Sequence, residues 1–593
     1  MEKPNQKYNK GMKSLKITCC LFVLLMMLSA SATAQTEQVV GYCAEELPPN
    51  SVGLEGGELR ISAAIHLPKS KMMRYKGGQL TKIRFAVKEG FENFSVWVRT
   101  SLNTSSKIVQ SVEELQNGWN EVTLNRPYPI DGEDLYIGYT ATQPDGFSGI
   151  IAGGTGNEYT SWIGVDNQWA DYSEYGLGIL YIQGIVEADV FDQDAAMVDL
   201  SLDKQTYTAD ETLHIDGMLV NTGTTNISGF QLKIIVDGGI GNAYVYDEVL
   251  LPEQTETFSH TLSLAGVGEG RHELIVSVVT NDDFDQNAAN DELRVPFYVY
   301  SSTYPRTLLL EHFTSLPCVN CPPVDALLEE VTEQRGDVVW VSHHVGYRDD
   351  DFTLEASRNL TRFGVTGNPF IMIDRTLFDD NATVAFTITS KSAETVNELY
   401  FDRAAAVPAF LELSASGDAV GNVLSIHVEG EGKDYVAELY PNAMLHVFLV
   451  EDQVYTPKPQ AGNSTKHIHD NITRAFVTSS RGIAPQWQDD GTFQWDTTFE
   501  LTEQWRQQML RVVAFITKAA DRESGYPTGE VLNATQAYIT TDRPTGIATV
   551  SSAHARDTYY NIWGQRIDQP SASRGIYIVK DATGCNIKKI LMK

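Results

Sequence analysis

The chain has 593 residues, 42% apolar, 10% aromatic and 21% charged. That composition is too apolar for a disordered chain, and the length is too great for one core, so several domains are expected. A formal net charge of −32 argues against a general nucleic-acid binder, and six cysteines are too few for a disulfide-dense scaffold.

Residues 1–34 read as a secretory signal. Lys3, Lys7, Lys10, Lys13 and Lys16 form a basic n-region, Ile17 to Leu28 an apolar h-region too short to span a bilayer, and Ala32-Thr33-Ala34 a cleavage site that would start the mature chain at Gln35. Cys19 and Cys20 open the apolar run rather than follow it, which disfavours lipoprotein cleavage. The rest of the chain has no apolar run of spanning length, so no transmembrane span is expected in the mature protein. The signal (five Lys, one Glu) and the last 53 residues (eight basic, four acidic) each carry +4, leaving −40 for the middle. That charge favours solubility and attracts cations.

Residues 35–187 are expected to be all-β. The runs Lys82 to Lys88 and Phe94 to Thr100 alternate with period two, Asp134 to Tyr139 is a third strand, and Gly, Asn and Pro punctuate the gaps. Tyr75-Lys76-Gly77-Gly78 before that first run, with Gly118-Trp119-Asn120-Glu121-Val122 after it, resembles the jelly-roll adhesin-type modules of Bacteroidota surface proteins. Trp162, Trp169, Tyr172 and Tyr175 are candidates for a sugar- or protein-binding groove, with core or loop anchoring as the simpler reading.

Residues 196–300 form a second β-module, with strands expected at Gly229 to Lys233 and His272 to Val278. It resembles the immunoglobulin-like spacers of cell-surface proteins. Its last loop, Asn281-Asp282-Asp283-Phe284-Asp285 with Asn290 and Asp291, is rich in the oxygen donors that Ca²⁺ takes. Asp282, Asp283 and Asp285 are the candidate ligands. The spacing is not that of an EF-hand, and a solvated acidic loop is the simpler reading. No motif in the chain requires a cofactor.

The character changes at residue 303. Arg306 to Phe313 has the apolarity and length of a buried strand and leads into Cys318-Val319-Asn320-Cys321. Pro322 and Pro323 suit the first turn of a helix. Val324, Leu327, Leu328 and Val331 then fall on one helix face. Val338 to His344 is a second strand, Ala356, Leu360 and Phe363 stripe a second helix, and Pro369 precedes the strand Phe370 to Ile373. Strands alternating with helices imply an α/β unit.

That order resembles thioredoxin, which implies a cis Pro369 beside the disulfide and Cys318 as an attacking thiolate at a helix N-terminus, with Cys321 as its resolving partner. The sequence departs from thioredoxin in having Pro317 before the first Cys. It also has His312, with Glu311 beside it, where thioredoxin carries a buried Asp, so either residue is a candidate base for Cys321. More specifically, Leu309-Leu310-Glu311-His312-Phe313-Thr314, Gly364-Val365-Thr366-Gly367-Asn368-Pro369, Leu445 to Asp452, His469 to Arg474, Val512 to Ile516 and Val531 to Ala534 resemble the outer-membrane-protein-twenty-eight (Omp) related family of Bacteroidota. This resemblance spans residues 303–540. It implies an outer-membrane or surface location, some members being described as adhesins. On this reading residues 303–407 are a thioredoxin-like α/β domain and 408–540 a β-rich extension packed on it. His467 and His469 would share a strand face and His343 and His344 would point oppositely, without zinc-ligand spacing. Asp349-Asp350-Asp351 reads as a solvated loop.

In residues 541–593, Tyr559 to Arg566, Arg574-Gly575-Ile576-Tyr577-Ile578-Val579, Gly584 and the basic tail Lys588 to Lys593 resemble the small β-sandwich sorting domain of type IX secretion cargo. That implies the type IX secretion machinery as a partner and the cell surface or the medium as destination. The mature chain would keep Cys43, Cys318, Cys321 and Cys585; removal of the sorting domain would leave Cys43 unpaired.

The expected fold is therefore multidomain and mainly β: a jelly-roll-like sandwich, an immunoglobulin-like sandwich, a thioredoxin-like domain with its extension, and a sorting domain. Three functions compete. One is thiol–disulfide exchange through Cys318 and Cys321 on protein disulfide substrates. The second is adhesion to host surface ligands with the CxxC as a structural staple. The third is haem or metal binding.

Overall fold

The structure, a computed structural model, describes residues 36–49, 51–166, 168–281, 285–519 and 529–541, and four further strands between Thr558 and Met592. The signal segment, Asp282, Asp283 and Cys585 lie outside the described residues. The protein is mainly β and divides into two compact units, one up to Ser302 and one from Thr303. Among the described residues no helix is long and apolar enough to cross a membrane.

The first unit holds two β-sandwich modules. In the first, a four-stranded sheet faces a six-stranded one. Thr36–Gly41 pairs with Ile182–Ala188, which joins the two ends of the module. The three alternating runs are strands Gln79–Val87, Glu92–Arg99 and Leu135–Gln143. Their inward residues Phe85, Val96, Val98, Ile137 and Tyr139 meet in the core, as period-two patterning requires. Trp162 and Trp169 sit on a hairpin, Trp162–Val165 paired with Gln168–Asp171. Both pack half-buried on Ala64, Trp97 and Leu102, and Arg99 lies 4.4 Å over the Trp97 ring. Tyr175, which contacts Tyr172, is 77% exposed.

The second module sets a three-stranded sheet (Ala195–Leu202, Thr212–Asn221, Thr255–Ser263) against a five-stranded one. Met197, Ile215, Leu219, Phe230, Leu232 and Phe297 form its core. Met73 of the first module packs on Ala196, Val198 and Val220 of the second. Glu253 takes both Lys71 (2.7 Å) and Arg74 (2.9 Å) across the same junction.

In the second unit, β1 (Leu308–Thr314), β2 (Val338–His344), β3 (Phe370–Ile373), β4 (Met444–Glu451), β5 (Ile472–Phe476), β6 (Leu510–Thr517) and β7 (Val531–Tyr538) form one seven-stranded sheet in the order β3-β1-β2-β5-β4-β6-β7. β1 and β2 are parallel, with helix α1 (Cys321–Glu333) between them in sequence, and β3 runs antiparallel to β1. The sheet crosses residue 408, where the sequence suggests the step from an α/β domain to a β-rich extension packed on it. β5 joins β2 through the parallel pair Ser342↔Ile472, so strands of both segments share one sheet and the β2 edge is covered.

All seven residues of β1 are buried, because both faces of the sheet are covered. On one face, Leu308 and Leu310 meet Val324, Leu328 and Val331 of α1. On that same face, Leu445, Val447, Val512 and Ala514 pack with Leu424, Ile426 and Phe493 of a second, four-stranded sheet. On the other face, Leu309, Val339 and Val341 meet Phe448, Val513 and Phe515. The expected second helix is shorter than its stripe suggests: one α turn, Glu355–Arg358, runs into a 3₁₀ turn, Asn359–Phe363, closed by left-handed Gly364 (φ 99°). The strands Thr558–Tyr560, Arg566–Ile567, Gly575–Lys580 and Ile587–Met592 form an antiparallel sheet.

Candidate functional site

The end of β1 and the start of α1 carry the candidate site. A buried apolar strand delivers the chain to a tight loop, and Pro322 and Pro323 occupy the first helical positions after Cys321, where missing N–H groups cost nothing. Cys318 and Cys321 form a disulfide with Cα atoms 5.5 Å apart. The Asn368–Pro369 bond is cis. Asn368 Nδ2 donates to Ser315 Oγ at 3.1 Å, which ties the proline loop to the cysteine loop.

The two sulfurs are enclosed, with Cys318 3% and Cys321 0% exposed, whereas Val319 between them is 63% exposed. The cover comes from far along the chain. Gln460 Nε2 donates to the carbonyls of Ser315 and Cys318, both at 3.0 Å, and Ala461 N–H donates to Leu316 O at 2.9 Å. Gly462 (φ 84°) lies so close that a Cβ would stand 2.4 Å from Val319 O.

Strand alternation separates the two candidate bases. His312 faces α1, where its Nδ1 lies 3.6 Å from Asp325 Oδ1; Asp325 stands one turn beyond Cys321 on the same helix face. Lys466 Nζ donates to the other Asp325 oxygen at 2.7 Å. Burial pushes His312 down to about 4, with Asp325 opposing the shift and His344, Lys466 and His343 adding to it. His312 is therefore neutral at pH 7, and its buried Nε2 has no hydrogen-bond partner among the described residues. Trp340 packs edge-on at 6.1 Å.

Glu311 points to the opposite face. It receives Arg375 Nε at 2.7 Å and Nη2 at 2.9 Å, with His343 Nε2 3.3 Å away. Burial alone would raise its carboxyl, but the Arg375 charge and hydrogen bonds hold it well below the usual carboxylate range. His343 and His344 do point oppositely: His344 Nδ1 is 2.7 Å from Asp350 Oδ2, which also accepts the Leu316 N–H at 2.7 Å. The Asp349–Asp351 loop is thus only partly solvated. Asp349 is exposed, but the Asp350 side chain is 5% exposed because it braces the cysteine loop.

His467 and His469 are committed elsewhere: His467 Nδ1 lies 2.9 Å from Thr456 O and His469 Nε2 3.2 Å from Thr456 Oγ1. Among the described residues no group of three His, Cys, Asp or Glu is arranged to hold a metal. In the second β-module, Asp285 accepts the backbone N–H groups of Ala195 (2.7 Å) and Asn287 (2.8 Å). The Cys43 thiol is pushed up to about 11 by burial beside Leu47, Trp119 and Tyr181.

Sequence reasoning missed Asp325, Gln460, Lys466 and Asp350. Asp325 had a signal, its spacing of four from Cys321 within a predicted helix. Gln460 and Lys466 had none, since over 140 residues separate each from its partner.

No family model matches this chain, and no curated protein does. Among solved structures it is similar to HBP35 of Porphyromonas gingivalis, at 16% identity over 49% of this chain and 100% of that one, with a TM-score of 0.36. A domain of the outer membrane lipoprotein Omp28 from the same organism matches at 16% identity over 23% of this chain and 92% of that one, with a TM-score of 0.15. The CARDB domain of the PF1109 protein from Pyrococcus furiosus, in complex with di-metal ions, matches at 10% identity over 19% of this chain and 95% of that one, with a TM-score of 0.17.

Proposed function

We propose that this chain is an exported cell-surface protein whose Cys318–Cys321 pair exchanges disulfides with a protein substrate. The observation that carries the reading is the disulfide at the N-terminus of the thirteen-residue helix α1, tied through Asn368 to the cis Pro369 loop. A helix N-terminus stabilises thiolate. In the reducing direction, the Cys318 thiolate attacks a substrate disulfide and expels one substrate thiolate. The Cys321 thiol then loses its proton and attacks Cys318 Sγ, which forms the intramolecular disulfide and releases the second substrate thiolate. The substrate is reduced by two electrons and the protein oxidised by two; the reverse sequence oxidises a substrate dithiol. His312 lies on the α1 face, but burial holds it down to about 4, too low to take the thiol proton at neutral pH, so neither candidate base serves in this reading. Glu311 supports the opposite face through Arg375. The basic, apolar start of the chain and the paired C-terminal strands favour export and type IX sorting, with the two β-sandwich modules as the parts that meet surface ligands.

A second reading, a binding protein with a structural disulfide, is favoured by one observation: Cys318 is only 3% exposed beneath Gln460. Thiol trapping of the mature protein across a redox-buffer series separates the two. A potential between about −120 and −270 mV supports exchange, and one below about −300 mV assigns a staple. Cys321→Ser should accumulate a mixed disulfide on Cys318 only in the first case.

A further inference from the structure

The cover over the disulfide is the tip of a hairpin whose root is anchored. Val454–Tyr455 pairs with Ile468–His469, and Val454 packs with Leu316, Phe352 and Ile472. Beyond that ladder, residues 456–467 close on themselves. Thr456 N–H donates to His467 O at 2.8 Å, Gln460 N–H to Lys466 O at 2.9 Å and Asn463 N–H to Gln460 O at 3.0 Å. A compact loop with its ends together and its own internal bonds moves as one piece.

The tip grips the cysteine loop and α1 through polar contacts. Gln460 Nε2 reaches Ser315 O and Cys318 O, and Ala461 N–H reaches Leu316 O. Lys466 Nζ donates to Asp325 Oδ2 of α1 at 2.7 Å. Pro457, Lys458, Pro459, Gly462, Ser464 and Thr465 are exposed. A segment held by a few hydrogen bonds, with little buried around it, opens locally far more easily than its domain unfolds. The Lys466 and Asp325 side chains are 23% and 14% exposed, so salt weakens their attraction. This tip also lies across the approach to Cys318, which is 3% exposed beneath it. Exchange requires a thiolate to reach a sulfur, and the closed tip excludes one.

We propose that residues 456–467 are an autoinhibitory strap: the disulfide turns over when the hairpin tip has swung off the cysteine loop, and the Lys466–Asp325 ion pair is the latch that holds it shut. This rests on the exchange reading above, since a gate has a role where the disulfide turns over.

The test is the rate at which dithiothreitol reduces the disulfide of the mature protein, read by alkylation of the released thiols. One dithiothreitol thiolate bonds to Cys318 Sγ as the S–S bond breaks and Cys321 leaves as thiolate. The second dithiothreitol thiol loses its proton to solvent, attacks the mixed disulfide and releases Cys318. The two electrons come from dithiothreitol, which ends as its cyclic disulfide. Lys466→Met and Asp325→Asn should each raise the rate about two- to fivefold. The double variant should be no faster than either, because one latch opens once. The two single variants remove opposite charges, so a direct electrostatic effect on the cysteines would move their rates in opposite directions, whereas an opened latch moves both upward. Added salt should accelerate the parent more than the double variant, and the charge of the reductant cancels in that comparison. Lys466→Arg should keep the parent rate, and amide exchange in residues 456–467 should rise in both single variants. Rates that move oppositely, effects that add in the double variant, or rates unchanged from the parent would overturn the proposal. Each single variant remains decisive with the salt comparison if the other fails to fold. The exchange reading itself fails on a separate measurement, the reduction potential of the pair, which none of these rates decides.

Discussion

Gln460 Nε2 donates to the carbonyl oxygen of Cys318 at 3.0 Å across 142 residues of sequence, and to that of Ser315 at the same distance. One amide side chain, 3% exposed, therefore closes the loop that holds the disulfide. Gln460→Ala would leave the Cys318 carbonyl without its donor, at about 1–3 kcal/mol, while the Ser315 carbonyl keeps the Cys318 N–H, and would free the cover over Cys318. The disulfide should then be reduced several-fold faster by glutathione, as read by alkylation of the released thiols. An unchanged rate would show that access to Cys318 does not pass through this cover.

Gly462→Ala probes the same cover from the backbone. The new Cβ would meet Val319 O at 2.4 Å, and the residue has φ 84°, a region L side chains rarely adopt. The segment must shift away from the cysteine loop, so the variant should reproduce the faster reduction of Gln460→Ala while leaving Gln460 in place. Amide exchange in residues 456–470 should rise in parallel.

Glu311 and Arg375 form a two-pronged ion pair in which both side chains are about 2% exposed or less. Removing one charge leaves the other buried and uncompensated, so Glu311→Gln should destabilise the second unit by about 3–5 kcal/mol. Glu311→Gln combined with Arg375→Met should recover part of that loss. Denaturant unfolding followed by peptide-resolved hydrogen exchange in β1 and β2 checks both. A double variant no more stable than Glu311→Gln would mean that Arg375 contributes mainly through Phe363 and Phe515, each 5.1 Å from its guanidinium.

The path from β1 through the cysteines to α1 was legible because each step has a local cause: an apolar run covered on both faces, paired prolines at a helix start, and a 3.6-residue stripe. The opposed directions of His343 and His344 followed from strand alternation alone. Alternation also separates Glu311 from His312, which the sequence left as equal candidates. What stayed hidden is non-local. Arg375 reaches Glu311 across 64 residues, and Ser342 meets Ile472 to join the α/β segment and its β-rich extension in one sheet. No periodicity within either segment encodes those partners. Asp350 was misread because its neighbours Asp349 and Asp351 are exposed, and composition cannot say which of three carboxylates turns inward to a backbone N–H.

Protonation should loosen the second unit first. Burial pushes His312 and His469 each to about 4, and lowers His343 and His446 as well. The unfolded chain takes these protons near 6.5, while in the folded protein His312 and His469 resist them until about 4. Stability is therefore complete above 6.5 and is lost as the pH falls from there towards 4. His312 alone accounts for up to about 3 kcal/mol over that window. Peptide-resolved hydrogen exchange at pH 7.5 and 5 should show protection in β1, β2 and β4 falling at the lower pH, and His312→Asn should reduce the fall.

The first unit should respond in the opposite sense through Asp291. Burial, with Asp285 and Asp194 nearby, raises its carboxyl to about 7, and its Oδ1 is buried without a hydrogen-bond partner among the described residues. Between about 4 and 7 the folded state binds a proton that the unfolded state has released, so stability falls as the pH rises through that window and is level above it. Asp291→Asn removes the charge while keeping the shape. The variant should match the parent near pH 4, exceed it at pH 8 and flatten the pH dependence of exchange protection in Ala195–Leu202 and Glu292–Val299. A variant less stable than the parent at pH 8 would mean that the ionised carboxylate is held by a favourable partner, as a bound cation at this loop would be.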